Sequence, residues 1–280
     1  MKKHIPTIIV VIIFVCGLSL FLYPTVSNLY NEYLNSKLID QYNEAFSQIT
    51  PENYEKAMED AKLYNQNLND SKKLKELGLT YEDTLNVAGN SIMGYIEIPK
   101  ISVSLVIYHT IDEDLLQNGI GHVSETSLPV GGESTHCVLA GHTGLPSAKL
   151  LTNIDHLKIG DNFYIHVLDE VLEYRIDNIV VVEPHETEHL KVVSGQDYVT
   201  LVTCTPYGVN SHRLLVRGVR VHSGDENALS AVYVQNDLMN IDIKYLLTFS
   251  LIGVFIIFVA VRKIILLRKK KKHKNESGEK

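Results

Sequence analysis

The sequence predicts a mainly β domain that follows a helical lead and lies between two membrane-length apolar runs. Three observations carry this. From Met93 onward, short β-rich runs at 94–98, 101–107, 135–140, 162–168, 171–183, 198–203 and 213–222 are broken by Gly, Pro, Asn and Asp. That spacing fits an antiparallel barrel or sandwich. Over residues 25–90, apolar residues recur instead at three- and four-residue intervals, the period of helices packed on one face. Each end of the chain carries an apolar stretch flanked by Lys or Arg on its terminal side.

Taken in order, Met1-Lys2-Lys3-His4 precedes Ile5 to Tyr23, which contains no charged residue. As a helix this run is about 28 Å long, enough to cross the hydrocarbon core. A cleaved signal peptide ends in small residues, whereas this run ends Phe-Leu-Tyr-Pro, which favours an uncleaved anchor over residues 1–24. Within 25–90, Tyr30, Tyr33, Leu34, Leu38, Tyr42, Phe46 and Ile49 form one apolar stripe. Thr50-Pro51 reads as an N-cap and first helical residue, and Tyr54, Met58, Ala61, Tyr64 and Leu68 form a second stripe. Both are packing surfaces for the β domain, residues 91–223. Residues 145–157 (LPSAKLLTNIDHL) are expected to form a short helix in a connection. A polar tether, 224–244, leads to the second apolar span, 245–267, and a basic tail, 268–280. Positive charge on the terminal side of both spans predicts cytoplasmic termini and an extracellular 24–244.

Composition narrows the function. With 45% hydrophobic and 21% charged residues, the chain can bury one sizeable core. Its net charge of −7 hides an asymmetry. The tails (1–23 and 245–280) carry eleven Lys or Arg against two Glu, which leaves 24–244 at −16. An acidic domain is a poor match for phosphate backbones, so nucleic acid is excluded as a partner. A basic partner, such as a lysine-bearing protein, fits better. Three cysteines are too few for a disulfide framework.

The chemistry gathers at Thr200 to Arg220, TLVTCTPYGVNSHRLLVRGVR. An apolar run ends at Cys204, Pro206, Gly208 and Asn210 mark a loop, and a second β-rich run begins just after Arg213. The part of the chain between the anchors has four arginines, Arg175, Arg213, Arg217 and Arg220, and three follow Cys204 closely. A guanidinium is always charged and donates a fixed fork of hydrogen bonds, which suits it to an oxyanion. A basic strand face bearing surface ion pairs is the competing reading. Period two puts Arg213 and Arg217 on one face, so spacing does not choose between them. Cys137 lies inside an apolar run, HCVLA, as a buried small hydrophobe does, and Cys204 stands beside a loop. With His142, these groups are the parts of a cysteine acyl-transfer site. His122, His136 and His142 lie close in sequence but lack the spacing of a metal site, and no cofactor is implied. His212, on the opposite side of its strand from Arg213, reads as structural, and His109, His156, His166, His185, His189 and His222 read as surface residues.

The segment TLVTCTPYGVNSHRLLVRG closely resembles the active-site strand and loop of sortases, the membrane-bound transpeptidases of Gram-positive bacteria. MGYIEIPKI (93–101), GHVSETSLPVGGESTHCVLAGHTGLPSAKLL (121–151) and KIGDNFYIHV (158–167) fit the same family in the same order, most like class C, the pilus-assembling sortases. The resemblance implies an eight-stranded β-barrel, with His142, Cys204 and Arg213 as the catalytic histidine, nucleophile and arginine. It also implies cleavage of an LPXTG-like sorting signal through a thioester and transfer to a lysine amine on a pilin. A housekeeping-type sortase that anchors proteins to a peptidoglycan precursor is the alternative. Others are a secreted cysteine peptidase and a non-enzymatic adhesin. Class C sortases usually carry an Asp-Pro-aromatic lid in the helical lead. Asn67 to Asp83 (NLNDSKKLKELGLTYED) has no proline, so the lid is absent or lacks its usual anchor.

Overall fold

A computed structural model describes residues 5–221 and four isolated helical positions, Ile252, Gly253, Phe255 and Arg262. The tether, the basic tail and the rest of the second apolar span lie outside the described residues. Eight strands close a barrel: β1 (Ile92–Ile98), β2 (Val103–Tyr108), β3 (Ile120–His122), β4 (Thr135–Ala140), β5 (Asn162–Val167), β6 (Glu170–Val182), β7 (Asp197–Thr205) and β8 (His212–Arg220). Their order around the barrel is β1-β2-β3-β4-β7-β8-β6-β5. The ladder is not purely antiparallel as the spacing predicted, because β2 pairs with β3 and β4 with β7 in parallel. Strand β3 was not legible in the sequence, being three residues long with Gly121 at its centre.

Alternation assigns the faces of the strands. Cys137 and Leu139 on β4, Val199 and Leu201 on β7, and Leu214 and Val216 on β8 all belong to the buried core. Residues between them point outward. Each fully buried aliphatic side chain contributes about 1.5–3 kcal/mol relative to exposure. The inward series on β8 continues to Gly218, where a side chain has no room. A Cβ there would lie 2.6 Å from the Phe163 ring, which stacks on Tyr174 at 5.6 Å.

One helix, α1, runs unbroken from Ile5 to Ser47 through Pro24. Among the described residues it is the one helix long and apolar enough to cross a membrane. Its barrel-facing side differs from the predicted stripe. Tyr42 is buried as the stripe predicts, but Tyr30 and Tyr33 are exposed and Asn31 and Asn35 are buried in their place. The asparagines face the barrel because loops there present unpaired backbone groups. Asn35 donates to the Asn118 carbonyl and accepts from the Val106 N–H, and Asn31 donates to the Gln117 carbonyl. Tyr42 donates to the Met93 carbonyl and accepts from the Leu168 N–H.

Thr50 caps α2 (Pro51–Gln66) by accepting from the Asn53 N–H. Met58, Ala61 and Tyr64 of α2 and Leu74 of α3 (Ser71–Leu77) enter the barrel's core cluster. In the segment after α3, the Tyr81 hydroxyl bonds to His122 Nδ1 and to the His109 carbonyl. None of the segment's hydrogen bonds reaches Cys204. His109 is buried rather than on the surface, with its ring nitrogens on the Thr84 and Ser91 carbonyls. A fourth helix, α4, is one turn, Glu113–Leu116.

The helix expected over 145–157 shrinks to a 3-10 turn at Ile154–His156. Tertiary bonds replace the helical ladder. The Leu151 N–H donates to the His142 carbonyl, the Thr143 hydroxyl donates to the Leu151 carbonyl, and the Gly144 N–H donates to Thr152 Oγ1.

Candidate active site

Strand register brings the three predicted residues to one edge of the barrel. Cys204 is the cross-strand partner of Arg213 in the antiparallel β7–β8 ladder. The ladder runs one pair further than the sequence suggested, to Thr205 and His212, so Cys204 lies within the strand. Strand β4 runs parallel to β7, pairing Ala140 with Val202, and the Gly141 N–H donates to the Val202 carbonyl at 3.0 Å. His142 follows two residues after Ala140, just past the end of β4. Val202 and Cys204 alternate with the inward-facing Leu201 and Thr203, so the thiol lies on the outer wall together with Arg213. The same alternation turns Cys137 inward, where burial pushes its thiol well above the ordinary cysteine value. A buried neutral thiol is inert.

The β8 arginines are set apart by their neighbours. Arg217 is paired across the ladder with Thr200 and clamped by Asp177, with Nε 3.0 Å from Oδ1 and Nη2 2.8 Å from Oδ2. Its guanidinium also lies 4.2 Å from the centre of the Tyr198 ring. Arg220 lies over Tyr174. Arg213 makes its hydrogen bonds through Nη1 alone, to the Asn210 and His212 carbonyls. That leaves the rest of its fork for an incoming oxygen.

His142 Nε2 is shielded from solvent and lies 3.2 Å from Glu113 Oε1. The carboxylate is off the N–H direction, so the nitrogen has ion-pair proximity without a hydrogen bond. Sequence reasoning missed Glu113, which stands 29 positions before His142 on a single helical turn that no pattern marks. The Cys204 thiol makes no hydrogen bond among the described residues. Catalytic hydrogen bonds that tighten only around substrate are common in unliganded sites. Three other histidines have hydrogen-bond partners of their own. His136 bridges the Lys191 carbonyl and Thr200, and His122 is buried against the Ser127 carbonyl. His212 bonds to its neighbour Ser211. Among the described residues no cluster of His, Cys, Asp and Glu could hold a metal.

A sortase-domain family profile matches residues 96–221, the barrel that carries these groups. The crystal structure of sortase C1 from Streptococcus agalactiae superposes with a TM-score of 0.62 at 42% identity, covering 66% of this chain and 98% of that one. The chain belongs to the sortase family. Sortases are cysteine transpeptidases, and this one is similar to class C members from several Gram-positive bacteria. Sortase C from Clostridium perfringens, solved with the C-terminal cell wall sorting motif, gives a TM-score of 0.58 at 41% identity. It covers 67% of this sortase and 99% of its own chain. Sortase A of Bacillus anthracis is 27% identical over 217 residues, which is 78% of this sortase and 95% of the relative.

Proposed function

We propose that this sortase cleaves an LPXTG-like sorting signal between Thr and Gly and joins the new carboxyl end to a lysine amine of a pilin. The observation that carries the reading is the strand-end register, with Cys204 opposite Arg213 and His142 two residues past the end of the adjoining parallel strand. The Cys204 thiolate attacks the scissile carbonyl. Arg213 donates to the oxyanion that forms. His142 protonates the leaving amine as the intermediate collapses to a thioester. The lysine amine then attacks the thioester, its proton passes to His142, and the thiolate returns. Water in place of the amine gives hydrolysis.

The likeness to class C structures at 42% identity, against 27% for the sortase A relative, supports a pilin acceptor over a peptidoglycan precursor. The sorting motif bound by the Clostridium relative supports the donor class. Both termini are read as cytoplasmic, with the barrel outside. Incubating the chain with a sorting-signal peptide tests the reading. Candidate pilin, a peptidoglycan-precursor analogue and water are offered as competing acceptors. A covalent pilin ladder is the expected product. Transfer to the precursor alone would assign the anchoring role, and free cleaved peptide alone would make the protein a peptidase.

A further inference from the structure

The fold fixes which end of the barrel faces the anchor. Asn28 Oδ1 accepts from the Lys149 N–H at 2.8 Å, and Lys149 belongs to the loop that leaves His142 and bonds back to its carbonyl. Further along α1, Asn35 meets the middle of β2 and Tyr42 meets the start of β1 and the end of β5. Register places those last two positions at the end of the barrel opposite Cys204. Helix α1 therefore joins the barrel at its catalytic end and runs away from it. Tyr23, the last residue of the first apolar run, is five residues from Asn28, about 7–8 Å along the helix.

The apolar character of α1 also does not stop at Tyr23. Val26, Leu29, Tyr30 and Tyr33 are exposed on the side turned from the barrel. This stripe reaches the level where Asn28 and Asn31 grip the catalytic end. Tyrosines gather at membrane–water interfaces because the ring is apolar and the hydroxyl is wet. At the same end of the barrel, the β7–β8 loop presents Tyr207 and Val209, which are 67% and 69% exposed. Tyr207 is held in place over Gly144, where a Cβ would approach its ring to 3.0 Å.

We propose that the β7–β8 loop is a membrane-docking surface, with Tyr207 and Val209 seated in the lipid headgroup layer beside the emergent end of α1. The site of Cys204 then opens at the bilayer surface, which favours substrates that are themselves held there. The proposal rests on α1 being a membrane anchor, and it is independent of which acceptor the enzyme uses. The acidic run Asp112-Glu113-Asp114 stands next to the His142 side of the same end, so the attraction is apolar and interfacial rather than electrostatic.

The chain has no tryptophan, so single substitutions report depth without background. Full-length Tyr207→Trp, Val209→Trp, Phe21→Trp and Val171→Trp proteins are placed in phosphatidylcholine vesicles with or without brominated acyl chains. Phe21 lies in the anchor and Val171 at the far end of the barrel. Bromolipid is expected to remove most of the emission of Phe21→Trp and a large part of that of Tyr207→Trp and Val209→Trp. Val171→Trp should be unaffected, and 0.5 M salt should leave the pattern unchanged, since screening at that strength acts on charge alone, over about 4 Å. Unquenched Tyr207→Trp and Val209→Trp beside a quenched Phe21→Trp would overturn the docking with the anchor intact. An unquenched Phe21→Trp would remove the anchor and the docking together.

Discussion

Cys204 and Arg213 face each other across the β7–β8 ladder, while Arg217, four residues along the same face, is clamped by Asp177. The strand pairing thus separates two arginines that sequence spacing treats alike. A guanidinium already holding a carboxylate by two hydrogen bonds must give them up to serve an oxyanion.

Arg213→Ala is accordingly expected to lower kcat by about 10²–10³-fold with little change in KM. Arg213→Lys should recover a minority of that loss, because it restores the charge but not the fork. Arg217→Ala should leave kcat nearly intact at equal folded fraction and lower Tm instead. Its ion pair is partly exposed, so its loss costs on the order of 1 kcal/mol. Steady-state kinetics and thermal melts of the three variants check this. A larger kcat loss in Arg217→Ala would reverse the assignment.

The two thiols on the barrel should behave oppositely. Cys204→Ala is expected to abolish the acyl-enzyme on a sorting-signal peptide. Cys137→Ala should keep the acyl-enzyme and lose about 1 kcal/mol of stability from the small core cavity. Intact-protein mass spectrometry reads the adduct, and an adduct mapped to Cys137 would sink the choice of nucleophile.

Stability should fall in mild acid. Burial lowers His122 from the ordinary 6.5 to about 4, and it lowers His136 in the same direction. With the folded-state value below that of the unfolded chain, the unfolded chain takes up the proton first as pH falls. The contribution of His122 is therefore complete above about pH 6.5, declines toward pH 4 and is flat below, a loss of order 3 kcal/mol. His122→Gln should shallow the dependence of Tm on pH across that window. An unchanged slope in the variant would show that His122 does not carry it.

Docking of α1 on the barrel depends on Tyr42, whose hydroxyl serves the Met93 carbonyl and the Leu168 N–H. Tyr42→Phe leaves both backbone groups buried and unpaired, at about 1–3 kcal/mol. The expected result is a lower Tm and faster proteolysis between α1 and the barrel. Tyr33→Phe, at an exposed position, is the control and should be silent.

Topology is open to a direct test. On the proposed topology, with Lys2-Lys3 and the basic run 268–274 both inside, protease added to intact protoplasts should digest 24–244 and spare a tag placed after Lys280. Loss of the tag would refute that orientation.

The sequence alone determined what depends on local pattern. Cys204 stands beside the loop marked by Pro206, Gly208 and Asn210, which makes it the accessible thiol, and HCVLA buries the other. The motif words around His142, Cys204 and Arg213 carried the family. The tertiary structure decided whatever rests on partners distant in the chain. Asp177, forty residues from Arg217, holds that guanidinium by two hydrogen bonds. Glu113 reaches His142 from an unmarked turn, and β3 finds parallel and antiparallel neighbours that a three-residue segment cannot announce. Asn31 and Asn35 displace Tyr30 and Tyr33 from the buried face of α1, because unpaired backbone groups on the barrel cost more to bury than tyrosine rings cost to expose. Local periodicity sets which face a residue takes within its own element. Which element that face then meets is set by pairing and by the satisfaction of buried polar groups, and those interactions span the whole chain.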